Sequence, residues 1–118
     1  MKKFYLLLMV LCGIGVKAQT LFPYLQAPSQ TSIYVNWKTS SNPESIVEYG
    51  TSADALTNIV NGTNTVMSDT GYPANYFYHT VQVTGLTANT KYYYRIRTGN
   101  DTSAVYSFKT LPLPGQAA

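Results

Sequence analysis

The feature that most constrains this chain is a two-residue hydrophobic alternation recurring in short segments, each cut off by turn-forming residues. Ser32 to Lys38 is the clearest case: Ile33, Val35 and Trp37 share one face, and Ser32, Tyr34, Asn36 and Lys38 the other. Tyr76 to Thr84 places Phe77, His79, Val81 and Val83 together, and Lys91 to Thr98 turns Tyr92, Tyr94 and Ile96 inward and Tyr93, Arg95 and Arg97 outward. Shorter segments span Leu21 to Gln26, Ser45 to Tyr49 (Val47 and Tyr49 inward) and Ser103 to Lys109. Successive Cβ atoms of a strand point to opposite faces, so this period selects half-buried strands. Ala27-Pro28-Ser29, Ser41-Asn42-Pro43, Gly50 and Gly99-Asn100-Asp101 stop them. Asn61-Gly62, between Ile59-Val60 and Thr63 to Met67, predicts a tight hairpin, whose two central residues need φ > 0. Only residues 51–58, around Ala53, Leu56 and Thr57, leave room for a helical turn. Seven to eight short antiparallel strands in one domain describe an all-β sandwich or a small barrel.

The amino terminus bears on compartment. Lys2 and Lys3 precede an apolar run from Phe4 to Val16, and Val16-Lys17-Ala18 closes it with small residues at the positions a signal peptidase reads. This is the pattern of a secretory signal peptide over residues 1–18, and the run is too short for a spanning helix, which needs about 20 residues. A secreted or periplasmic protein, bacterial from its short lysine-led signal, is the expectation, with no membrane anchor after cleavage. Cleavage after Ala18 removes Lys2, Lys3, Lys17 and the only cysteine, Cys12. The remainder carries five basic residues (Lys38, Lys91, Arg95, Arg97, Lys109) against five acidic ones (Glu44, Glu48, Asp54, Asp69, Asp101). Its net charge is therefore zero, which argues against nucleic acid as a partner. No internal disulfide is possible, so packing alone must hold a small domain.

Two features narrow the fold. Trp37 sits on an early strand with no cysteine pair beside it, which excludes an antibody-type core. The stretch Gly85-Leu86-Thr87-Ala88-Asn89-Thr90-Lys91-Tyr92-Tyr93-Tyr94-Arg95-Ile96 is laid out as a tyrosine corner, in which a Tyr near the start of the penultimate strand bonds a backbone group upstream. Tyr92 takes that role, Leu86 plugs the core beneath it, and Tyr94 and Trp37 complete the structural set. The stretch resembles the fibronectin type III pattern, with Ala88 where proline is usual, so an immunoglobulin-like, fibronectin type III sandwich over residues 19–110 is expected.

Longer pieces resemble something narrower. Pro23-Tyr24-Leu25-Gln26, Ser32 to Trp37, Val47-Glu48-Tyr49-Gly50-Thr51-Ser52, His79 to Leu86, Asn89 to Arg95 and Tyr106-Ser107-Phe108-Lys109-Thr110 are similar, in order, to the N-terminal domain of purple acid phosphatases. The resemblance implies a fibronectin-like accessory domain preceding a C-terminal metallophosphoesterase domain, with acid phosphatase the parent activity. It further implies that the two-metal centre (iron with zinc, manganese or iron) belongs to that catalytic domain. None of the family's ligand motifs, Gly-Asp-x-Gly, Gly-Asn-His-Glu and Gly-His-x-His, occurs here, so no catalytic, metal-binding or cofactor-binding residue is expected. Leu111-Pro112-Leu113-Pro114-Gly115 cannot extend a central strand and reads, with residues up to 118, as a linker to the catalytic domain. The alternative is a free-standing or differently partnered fibronectin-like adhesion or binding module.

Three lesser signals have bland readings. Asp69-Thr70-Gly71 matches the aspartic-protease triplet, but a second aspartate across a dimer is needed for that chemistry, and Tyr72-Pro73 follows it as in a turn. His79 alternates with Val81 and belongs to a strand interior. Tyr93, Arg95 and Arg97 form an outward stripe that is either a solvated face or a surface for another domain, since Tyr and Arg are enriched at interface hot spots.

Overall fold

The computed structural model describes residues 21–68 and 76–116; the expected signal peptide over residues 1–18 and the Asp69-Thr70-Gly71 triplet lie outside the described residues. Nine strands and no helix occur among those described: β1 (Tyr24–Gln26), β2 (Ile33–Thr39), β3 (Ile46–Gly50), β4 (Asn58–Asn61), β5 (Thr63–Met67), β6 (Tyr76–Val83), β7 (Lys91–Thr98), β8 (Asp101–Thr102) and β9 (Tyr106–Lys109). They form two antiparallel sheets, β1-β2-β6-β5 and β4-β3-β7, with β8 and β9 both pairing along the free edge of β7. Two sheets, each hydrophobic on one face, bury those faces against each other, which makes a sandwich rather than a barrel. The ninth strand arises because β8 and β9 are one edge strand interrupted at residues 103–105, where Ser103 bonds Ile96 through its N–H (2.9 Å) and its Oγ (3.0 Å).

The inward faces are the alternating apolar positions. Ile33, Val35 and Trp37 of β2 and Val81 and Val83 of β6 meet Val47 of β3, Tyr92, Tyr94 and Ile96 of β7 and Phe108 of β9. Leu21 and Leu86 seal one end. Phe108 stacks on Tyr92 (5.7 Å between ring centroids) and meets Tyr94 edge-on (5.6 Å), supplying the cross-strand aromatic pairing that stabilises an edge.

Three sequence expectations need correction. Asn61-Gly62 is not a hairpin: β4 pairs with β3 in one sheet and β5 with β6 in the other, so the dipeptide carries the chain between sheets. Gly62 does not have a positive φ. It is needed because a Cβ there would land on the Thr80 carbonyl oxygen and within 2.6 Å of Val81 Cγ2. Residues 51–58 contain no helical turn; a Ser52–Ala55 bridge closes a tight loop. Asn36, placed on the outward face by its register, is nonetheless buried, its Nδ2 donating to Gln26 Oε1 (2.9 Å) across the β1–β2 pair.

Candidate functional site on the outer face of the second sheet

Three polar arrangements stand out, two of them internal. At one end of the sandwich, Tyr92 Oη accepts the Thr87 N–H (2.8 Å). Leu86 beneath it is buried, and its own N–H reaches the Thr31 carbonyl (3.0 Å). Thr110 Oγ1 ties the same corner by donating to the Thr87 carbonyl (2.6 Å) and accepting the Thr90 N–H (3.0 Å). Leu111 remains bound there, its N–H to Ser29 O (3.1 Å) and its carbonyl to Asn89 N–H (3.0 Å). The chain thus leaves the sandwich only after Leu111.

At the other end a polar cluster replaces hydrocarbon. Trp37 is fully buried, donates its Nε1–H to Thr98 Oγ1 (2.9 Å) and stacks on His79 at 4.9 Å and 11°. His79 Nδ1 lies 2.7 Å from Ser45 Oγ, and Nε2 lies 2.7 Å from Thr39 Oγ1. Ser45 Oγ has two further acceptors, the carbonyls of Thr63 (3.1 Å) and Pro43 (3.2 Å), whereas Thr39 Oγ1 has only that of Asn42, at 3.3 Å. We therefore assign the proton to Nδ1, which donates to Ser45, and let Thr39 donate to Nε2. Burial lowers the imidazole pKa from 6.5 to about 4, because the charged form would lose its hydration. A histidine held at both nitrogens and shut from solvent can neither ligate a metal nor shuttle a proton to a substrate.

The third arrangement is exposed. The outer face of β3-β7-β9 carries Lys91, Tyr93, Arg95 and Arg97 along β7, Glu48 on β3 opposite Arg95, and Lys109 on β9 opposite Lys91. Glu48 is nearly buried and draws in both guanidinium groups, with Arg95 Nε 2.5 Å from Oε1 and Arg97 Nε 3.2 Å from Oε2. The Arg97 Nε–H finds no well-aligned acceptor, so Arg95 holds the stronger bond. Lys91 instead leans along its own strand to sit 5.1 Å from the Tyr93 ring centroid. The stripe read from the sequence is therefore divided: Arg95 and Arg97 serve an ion pair, whereas Tyr93 belongs with two lysines. Lys91 and Lys109 carried no weight in the sequence reading, because only the β7–β9 register brings them face to face.

No group of three or more His, Cys, Asp or Glu side chains among the described residues could hold a metal ion, and a two-metal centre does not fit them. No described helix is long and apolar enough to cross a membrane.

The class defined by this architecture is an immunoglobulin-like β-sandwich with a tyrosine corner and a charged outer face. The chain belongs to the purple acid phosphatase N-terminal domain family, whose model matches residues 20–110. No curated protein matches it at a significant level. Among solved structures it is similar to the sensor domain of the anti-sigma factor RsgI4 of Pseudobacteroides cellulosolvens, at 16% identity and a TM-score of 0.52. That likeness covers 84% of this chain and 93% of the other, and it speaks to fold.

Proposed function

We propose that this domain is the non-catalytic N-terminal module of a secreted metallophosphoesterase of the purple acid phosphatase type, bracing the catalytic domain that follows it. The observation that carries the reading is the family match over residues 20–110, which spans every strand of the sandwich. The two-metal centre, iron with zinc, manganese or a second iron, would belong to the catalytic domain and supply a metal-activated water to a phosphate ester. Residues 1–18 would direct export as a signal peptide, and residues 111–118 would lead into the catalytic domain.

The test compares residues 19–116 with the protein encoded by the whole open reading frame. The isolated domain should leave p-nitrophenyl phosphate intact with iron, zinc or manganese added, and the longer protein should hydrolyse it at acid pH. Metal-dependent turnover by residues 19–116, or a longer protein without phosphatase activity, would overturn the reading; the latter would favour an adhesion or binding module.

A further inference from the structure

The outer face of the second sheet has an imbalance that the fold does not resolve. Residues 19–118 are neutral overall, yet this face gathers four basic side chains, Lys91, Arg95, Arg97 and Lys109, around a single acid, Glu48. Arg95 and Arg97 share that acid. Lys91 and Lys109 are direct cross-strand partners, both exposed, and neither forms an ion pair among the described residues. Like charges directly opposite each other destabilise a sheet, and the edge strand here gains no compensating contact from them. Lysines on an edge strand discourage edge-to-edge association, but the sandwich offers this pair no acidic partner among the described residues. A carboxylate brought to the face would supply one.

Position selects the partner. β9 ends at Lys109, and Leu111 is held against the domain by Ser29 and Asn89, so the chain departs beside the lysine pair and far along β7 from Arg97. A domain tethered there reaches Lys91, Tyr93 and Lys109 at high effective concentration, without a long linker. Tyr93, half-buried under the Lys91 ammonium, offers a rigid amphipathic contact between the two charges. The free charges number two, on adjacent strands, which is too few to track a nucleic-acid backbone and suits one or two carboxylates. We infer that Lys91, Tyr93 and Lys109 form the docking surface for an acidic patch on the domain that follows in the chain. This inference rests on the functional reading above and moves the interface from the arginines to the exit end of the sheet.

The experiment uses the full-length protein and a carbodiimide, which joins lysine amines to carboxylates in direct contact. Peptide mapping should find Lys91 and Lys109 joined to Asp or Glu beyond residue 118, and Lys38 on the opposite sheet should serve as the unreactive control. The links should fade at about 0.5 M salt, where the Debye length shrinks to about 4 Å. Lys91→Glu plus Lys109→Glu should widen the interdomain distance distribution in small-angle scattering, and Lys38→Glu should not; urea unfolding of the isolated double variant checks that the sandwich still folds. A downstream sequence that is not a metallophosphoesterase sinks the functional reading. A metallophosphoesterase with no carboxylate joined to either lysine, or with links to a second copy of the chain, sinks the docking surface alone.

Discussion

Acid should weaken this domain through one side chain. His79 is fully buried, and its imidazole pKa falls from 6.5 to about 4 in the folded state. The cause is desolvation rather than a missing acceptor, because Thr39 Oγ1 could accept a second N–H if it turned its own proton to the Asn42 carbonyl. The unfolded chain takes up a proton near pH 6.5 and the folded chain only near pH 4, so between these values the unfolded state binds more protons and stability drops as pH falls. At about 1.4 kcal/mol per pH unit the full loss is about 3 kcal/mol, complete near pH 4, of which about 2 kcal/mol is already gone at pH 5. Against a total of roughly 5–15 kcal/mol for a small domain, that is a large share. Urea unfolding of residues 19–116, followed by the fluorescence of Trp37, the chain's single tryptophan, measures it at pH 7.5, 6, 5 and 4.5. His79→Gln keeps one donor and one acceptor but cannot titrate, and the carboxylates common to both proteins cancel. The wild-type domain should lose about 2 kcal/mol more than the variant between pH 7.5 and pH 5. Parallel pH profiles, or an imidazole that titrates above pH 6 in NMR spectra of the folded domain, would refute the argument.

Three further outcomes follow from particular contacts. Tyr92→Phe strands the Thr87 N–H and should cost about 1 kcal/mol, whereas Tyr93→Phe, on the outer face, should cost under about 0.5 kcal/mol. Equal losses in urea would place the wrong tyrosine in the corner. Gly62→Ala should cost about 1–3 kcal/mol by driving a methyl group into the Thr80 carbonyl and Val81, and an unchanged melting temperature would contradict the crossover geometry. Lys109→Glu should stabilise the isolated domain by up to about 1 kcal/mol at low salt, since it turns a cross-strand repulsion into an attraction, and a lower urea midpoint would remove the premise of the docking surface.

Much of this domain could be read from residue order because the governing rule is local. Two-residue alternation sets which side chains of β2, β6 and β7 face inward, and no distant contact is needed to see it: Ile33, Val35, Trp37, Val81, Tyr92, Tyr94 and Ile96 are buried as their pattern requires. The same rule places Tyr93, Arg95 and Arg97 outward. Strand pairing is not local. Asn61-Gly62 carries the chemistry of a tight turn, yet its glycine meets a steric demand set by Thr80 and Val81 on β6, nearly twenty residues away. Asn36 obeys its period and is buried all the same, because β1 folds back over it with an amide partner in Gln26. Glu48 carries no sign in the sequence of which cations it will serve; the β3–β7 register makes that choice. Lys91 and Lys109 are eighteen positions apart, and only the hydrogen-bonded ladder between β7 and β9 sets one charge opposite the other. Periodicity thus determined the faces of the strands, while tertiary structure decided which residues share a face, because a side chain's direction is a property of its own backbone and its neighbours are a property of the whole chain.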